Sequence, residues 1–206
     1  ARTGAIGAVA GDIGKRIEPE LPKLFAELPR APWGVRAMPA HLGPGAAEYY
    51  TDPSIDGKQP GWFYANVVGW RARPIWGMET LVAHEAVPGH HLQNARAIEL
   101  GALPEFRRAG GYTVYGEGWA LYAETLGSQL GLYTDPHSRF GHLQWQAFRA
   151  ARLVVDTGLH ALGWTREQAI EFMIERTGVD REQVATEVDR YYSLPGQALA
   201  YMIGQL

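Results

Sequence analysis

Residues 80–93 read Thr80-Leu81-Val82-Ala83-His84-Glu85-Ala86-Val87-Pro88-Gly89-His90-His91-Leu92-Gln93. The run opens with small and apolar residues and a His-Glu pair, is broken by Pro88-Gly89, and resumes with a His-His pair. Proline lacks a backbone N–H, and its ring collides with the carbonyl one turn back, here that of His84. Glycine admits backbone conformations closed to other residues. The stretch therefore predicts a helix over Met78 to Glu99, interrupted at Pro88-Gly89.

Outward from this run, most of the chain after residue 77 reads as helix. Tyr112 to Leu130 is one segment, ended by Gly131, and Arg139 to Leu162 another, with Gly163 as its C-cap. Thr165 opens a further helix, with Gln168 completing a capping box, and Asp180 caps one running to about Tyr192. Pro195 starts a last helix that meets the end of the chain. Before the central run, residues 4 to 28 are amphipathic: Ile6, Val9, Ile13, Ile17, Leu21, Leu24 and Phe25 recur at helical spacing, with a break at Pro19 and Pro22. Residues 29 to 61 are rich in Pro and Gly and predict irregular structure with a short strand at Gly34–Met38. Gly61 to Val68, aromatic and β-branched, is the best strand candidate. The expected fold is mainly α with a small β-strand region near residues 34–68, in a single domain over residues 1–206.

Composition narrows the function. The chain has 206 residues, 46% hydrophobic and 20% charged, which suits one well-buried core. A net charge of −3 gives no electrostatic case for nucleic acid or an anionic membrane. No apolar run approaches the ~20 residues of a transmembrane segment. The absence of Cys excludes disulfides, thiol catalysis and thiolate-bound metal, leaving His and carboxylates as strong ligands. The seven Trp and ten Tyr serve core packing or line a cleft. The chain begins Ala1-Arg2-Thr3 and is read as a fragment or processed product. Its location, cytoplasmic or periplasmic as a lipoprotein, stays open because a signal would lie upstream.

Three of the seven His fall within eight residues, beside a Glu. Two imidazoles four apart on a helix lie ~6 Å apart along its axis and reach one ion. Here position i+4 from His84 is Pro88. In an unbroken helix His90 would point ~120° away and His91 would lie ~10.5 Å along the axis. The Pro-Gly break is what would bring either back toward His84. A zinc site needs three protein ligands and one open position. Glu117, flanked by Gly116 and Gly118, is placed to supply the third from a helix that Trp119, Leu121, Tyr122 and Leu126 mark as largely buried. Glu124 is the reserve ligand, or an acceptor that orients a ligand His. His90 and His91 are both candidates for the second histidine ligand.

At these residues a resemblance appears. His84 to Gln93, then Glu117-Gly118-Trp119-Ala120-Leu121-Tyr122-Ala123-Glu124, then Arg149 to His160 and Pro195-Gly196-Gln197-Ala198-Leu199-Ala200-Tyr201-Met202-Ile203-Gly204 resemble the bacterial family called domain of unknown function 885. Upstream, Asp56-Gly57 and Pro60-Gly61-Trp62-Phe63-Tyr64 with Asn66 are similar to it too. That family is similar to the gluzincin metallopeptidases, which pair His-Glu-x-x-His with a downstream Glu. The resemblance implies a zincin-like helical core, forming the C-terminal catalytic portion of a longer protein. It also implies one Zn²⁺ held by His84, His90 and Glu117, with Glu85 as general base. Gly89-His90 aligns with the Gly-His step of the oligopeptidase form and ranks His90 above His91. The two extra residues are a departure from that form.

The expected activity is zinc-dependent hydrolysis of a peptide or small amide substrate. Glu85 would take the proton of the attacking water, and Tyr201 or His160 would steady the oxyanion. Tyr201 reads equally well as a core aromatic. Asp156 and His160, at i and i+4, could simply pair on one helix face. Arg149 and Arg152 could bind a substrate carboxylate, and Asn66 joins them as a substrate-binding candidate. The strand near Phe63 to Val67 offers an edge to an extended peptide. The rival readings are another metal-dependent amide or ester hydrolase, and a metal-free binding module that keeps the fold.

Overall fold

The His-Glu run sits on a helix that is buried on every side. In the computed structural model, which describes residues 4–43, 45–68, 74–101, 103–104, 106–107 and 111–206, helix α2 spans Met78–Glu85 and all eight of its residues are buried. Such a helix shows little amphipathic periodicity, because no face is left for solvent. Its polar residues need partners instead. Glu79 accepts from Arg16 Nη1 at 2.8 Å and from the Tyr133 backbone N–H at 2.7 Å.

The flanking elements follow from caps and turns. Helix α1 (Gly4–Ile17) buries Ile6, Ala10, Ile13 and Ile17 along one stripe, and a 3₁₀ segment follows over Glu18–Lys23, at the expected prolines. Val9, expected on that stripe, is exposed. Helix α3 is His90–Glu99 and α4 is Thr113–Thr125, continued by a 3₁₀ turn, Leu126–Leu130. Helix α5 (Pro136–Ala161) starts three residues earlier than expected, because Asp135 accepts from the His137 and Ser138 N–H groups as N-cap. Helix α6 (Arg166–Thr177) carries the Thr165–Gln168 capping box and ends at Gly178, φ 64°. Asp180 caps α7 (Arg181–Ser193), and α8 is Ala200–Gln205.

Strands β1 (Trp33–Ala37), β2 (Tyr49–Thr51) and β3 (Gly61–Ala65) form one sheet in the order β1-β3-β2. β1 runs parallel to β3, pairing Trp33 with Gly61 and Ala37 with Ala65, while β2 runs antiparallel, pairing Tyr49 with Tyr64. β3 is thus central with both edges paired, so the expectation that it receives an extended peptide is corrected. Among the described residues β2 is paired on one side only. The chain is mainly helical with this small sheet, as the sequence predicts.

Two apolar clusters make the core. The first joins α1, β3, α2 and the turn after α4, through Ile13, Ile17, Phe63, Val82, Leu130 and Leu132. The second joins α5, α6 and α7 through Phe148, Val155, Ile170, Met173, Val188 and Tyr191. A cavity of about 810 Å³, lined by residues of both α2 and α5, opens between them. Glycines let the two halves meet: a Cβ on Gly141 of α5 would lie 2.2 Å from the Trp76 carbonyl oxygen. No helix among the described residues is long and apolar enough to cross a membrane.

Candidate metal centre

The break at Pro88-Gly89 places His90 beside His84. Helix α2 stops after Glu85, the Val87–Pro88 peptide is cis, and the chain re-enters helix at His90. Gly89 has an ordinary φ of −74°, so the reason for glycine is not a left-handed backbone. It is close approach: a Cβ there would lie 1.8 Å from the His84 carbonyl oxygen and 2.5 Å from that of Ala83. The turn therefore folds tightly against the last turn of α2. Trp119 of α4 clasps it, donating from Nε1 to the Pro88 carbonyl at 2.9 Å.

The two rings stand edge to face, centroids 4.9 Å apart at 86°. Glu117 completes the group. Its Oε2 lies 3.4 Å from His84 Nε2 and 3.5 Å from His90 Nε2, yet makes no hydrogen bond although it is buried. One ligand atom from each residue falls within 4.8 Å of the others. Two imidazoles and a carboxylate converging on a common point, with an orphaned carboxylate oxygen, fit the donor set of a catalytic zinc site. Of the two glycines beside Glu117, only Gly118 makes the expected close approach. Its Cβ would lie 2.4 Å from Gly204 of α8, while Gly116 has nothing within 4 Å.

The surroundings orient this group. His84 Nδ1 lies 2.8 Å from Glu124 Oε1, and Gln146 donates to the other Glu124 oxygen at 3.3 Å. Glu124 therefore takes the orienting role rather than the ligand role, fixing the His84 ring with Nε2 toward Glu117. Burial alone would lower the His84 pKa, but Glu117 and Glu124 outweigh it and push it up to about 10. Burial would likewise raise Glu117, but His84 and His90 hold it well below the usual carboxylate range. Glu85 faces the same cavity, and burial pushes its carboxyl upward against the pull of His84 and His90.

His91, the reserve ligand, points elsewhere. Its Nδ1 meets Tyr50 Oη at 2.7 Å and its Nε2 meets the Ala31 carbonyl at 3.1 Å, so it ties α3 to the sheet. Burial lowers its pKa to about 4, in keeping with a neutral ring.

Tyr201 is brought to the centre: its ring stacks on His84 at 5.9 Å and 17°. Gln197, which residue patterns did not single out, donates to Tyr201 Oη at 3.3 Å and to Glu117 Oε1 at 3.4 Å. Its only signal was its place in the Pro195-Gly196-Gln197 motif. Arg149 and Arg152 line the cavity. His160 does not. It is exposed at the far end of α5, with Nε2 3.1 Å from the Tyr191 carbonyl. Eleven residues of helix carry it ~16 Å along the axis from Arg149, so its catalytic role is corrected. Asp156 does not pair with His160; both its oxygens accept from the Gly196 N–H, at 3.1 and 3.2 Å, which anchors the loop into α8. Asn66 is buried away from the cavity. It donates to the Gly43 and Ala46 carbonyls at 3.1 and 2.8 Å and accepts from Val68 N–H, so it shapes the segment whose Glu48 lines the cleft rather than touching substrate.

A family model described as "Bacterial protein of unknown function (DUF885)" matches residues 4–206. The chain belongs to the DUF885 family. Among solved structures, a candidate lipoprotein from Colwellia psychrerythraea is 41% identical with a TM-score of 0.93 over 97% of this chain and 34% of that one. A candidate lipoprotein of unknown function from Shewanella oneidensis is 19% identical with a TM-score of 0.73, over 97% of this chain and 38% of its own, and shows likeness of fold alone. The chain thus spans a little over a third of the length of these solved structures. No curated protein matches it.

Proposed function

We propose that this chain is the catalytic portion of a zinc-dependent hydrolase that cleaves peptide bonds, with Glu85 as general base. The observation that carries the reading is the buried Glu117 Oε2, which makes no hydrogen bond and lies 3.4 and 3.5 Å from two imidazole nitrogens, with Glu85 opening onto the same cavity. His84, His90 and Glu117 would hold the ion. A bound zinc ion supplies Lewis-acid polarisation and a water of lowered pKa.

The rest is the work of the chain's own residues. Glu124 fixes the His84 ring so that Nε2 is the free ligand nitrogen. Glu85, its carboxyl raised by burial, takes the proton from the attacking water and returns it to the leaving amine. Tyr201, positioned by Gln197 and by stacking on His84, donates its hydroxyl to the oxyanion. The cavity of about 810 Å³ accommodates a short peptide.

The test is a peptide-mixture digest with zinc-loaded protein, with and without chelator, beside Glu85→Gln. The expected result is chelator-sensitive cleavage, lost by a hundredfold or more in E85Q while its zinc content is unchanged. Zinc-dependent cleavage of esters or non-peptide amides alone would shift the reading to a different hydrolase. Cleavage by E85Q at the unmodified rate would remove the assigned base.

A further inference from the structure

Arg149 is a buried cation with no direct ion pair or hydrogen bond among the described residues. It is 8% exposed and lines the cavity. Among the described residues no acceptor bonds to it, and its Nε is buried without a partner. Its contacts are aromatic: the guanidinium carbon lies 4.7 Å from the Trp145 ring, 4.9 Å from Tyr201 and 5.7 Å from Phe148. Burying a charge without a counter-ion is costly, and proteins keep one so placed where an anion arrives.

The carboxylate beside it acts on it only at longer range. Glu187, the acidic group next to it, is already bound by Arg152 Nη2 and bridged by Arg190 at 3.4 Å. Arg152 also donates to Tyr191 Oη at 2.8 Å, and its Nη1 is buried without a partner. The Glu187 carboxylate is therefore already taken by two guanidinium groups, Arg152 and Arg190, and Arg149 has no ion pair of its own. Arg149 and Arg152 both pack on the Tyr201 ring, and that ring stacks on His84. The unpaired charge thus lies one aromatic ring away from the metal cluster.

We propose that Arg149 anchors a carboxylate subsite that takes the free C-terminus of a peptide. Its planar fork can grip both carboxylate oxygens. Arg152, fixed by Glu187 and Tyr191, adds its free Nη1. A residue advances an extended chain by ~3.3–3.6 Å, so a carboxylate held here sets the scissile bond one or two residues from the C-terminus. The Trp145 and Phe148 rings give an apolar wall for the terminal side chain. This deepens the proposed function by naming the substrate class: peptides with a free carboxylate, trimmed from that end.

The test uses chelator-treated protein, so that binding is not through metal and nothing turns over. N-acetyl-Gly-Phe and its C-terminal amide are titrated by calorimetry into unmodified protein, Arg149→Gln and Arg149→Lys. The expected result is tenfold or tighter binding of the acid over the amide. R149Q should reduce the acid to the level of the amide, and R149K should retain part of the preference. The R149Q melting temperature should not fall, since an unpaired buried charge is removed; a residue kept only for packing would lower it. Equal binding of acid and amide by the unmodified chain overturns the proposal, and that comparison needs no variant to fold. A preference that survives R149Q also overturns it. Acid-selective binding without any cleavage leaves the subsite standing and removes the peptidase reading. Cleavage without acid selectivity does the reverse.

Discussion

The residue that separates a metal site from a cluster of ordinary histidines is Glu117. Its Oε2 gives up hydrogen bonding inside the protein while sitting 3.4 and 3.5 Å from two ring nitrogens. Adjacent histidines then divide cleanly, His90 turning to Glu117 and His91 to Tyr50 and Ala31. His91→Phe should therefore lower stability, by about 1–3 kcal/mol for the half-buried Tyr50 hydroxyl and Ala31 carbonyl left unpaired, and leave zinc stoichiometry unchanged. Thermal melting and metal analysis of one preparation check both halves. Glu124→Gln should keep the fold but weaken zinc binding by roughly 10–100-fold, because the His84 ring loses the charged acceptor at its Nδ1. Competition with a chelator of known affinity measures this. At this scale the sequence was partly legible. Residue types and their clustering pointed to His84, His90 and Glu117. Spacing alone could not decide His90 against His91, since the direction of each ring is set by a turn whose shape depends on Gly89 lying against the His84 carbonyl. His160 was misread because its helical face is the right one but its axial position is not.

Among the elements, close backbone contact does what hydrophobic pattern does elsewhere. Gly118 of α4 and Gly204 of α8 cross with almost no space between them, and this crossing carries Tyr201 to the face of His84. Gly204→Ala would set its Cβ 2.0 Å from the Val114 carbonyl oxygen. It should push α8 away and lower the melting temperature by several degrees, a cost of about 1–3 kcal/mol for overpacking. Between α5 and α7 the buried Arg152–Glu187 pair sets a pH dependence. Burial alone would raise the Glu187 pKa, but Arg152 and Arg190 hold it below the ordinary range. A carboxylate depressed in the folded state contributes stability that is full above its unfolded pKa of ~4.3 and is lost as pH falls through the folded value. Melting temperature should therefore drop below about pH 4.3 in the unmodified chain. Glu187→Gln should be less stable at pH 7 by about 3 kcal/mol, with the buried Arg152 uncompensated, and flatter in acid. Several helix starts and stops were legible because caps are local: Thr165, Asp180 and Gly163 each act within a turn of their own position. The order of strands was not, since β1 and β3 pair in parallel across a long intervening segment that no local signal specifies.

Taken whole, the molecule is two apolar clusters with a cleft between them. The candidate ligands His84, His90 and Glu117 come from α2, α3 and α4, and Arg149 and Arg152 come from α5. That division explains why composition and charge alone were silent on substrate: a net charge of −3 says nothing of the two guanidinium groups that pack on Tyr201. The resemblance carried by the His84–Gln93 and Glu117–Glu124 motifs holds over residues 4–206, and the chain spans about a third of the length of the solved Colwellia structure. The account stands or falls on the ion. The most direct measurement is the metal content of the purified chain after zinc loading and desalting, for the unmodified protein, Glu117→Ala and His91→Phe. The account predicts one zinc per chain in the unmodified protein and in H91F, and loss of the zinc in E117A with the fold retained by circular dichroism. Zinc absent from the unmodified chain, or retained at full stoichiometry in E117A, would contradict it.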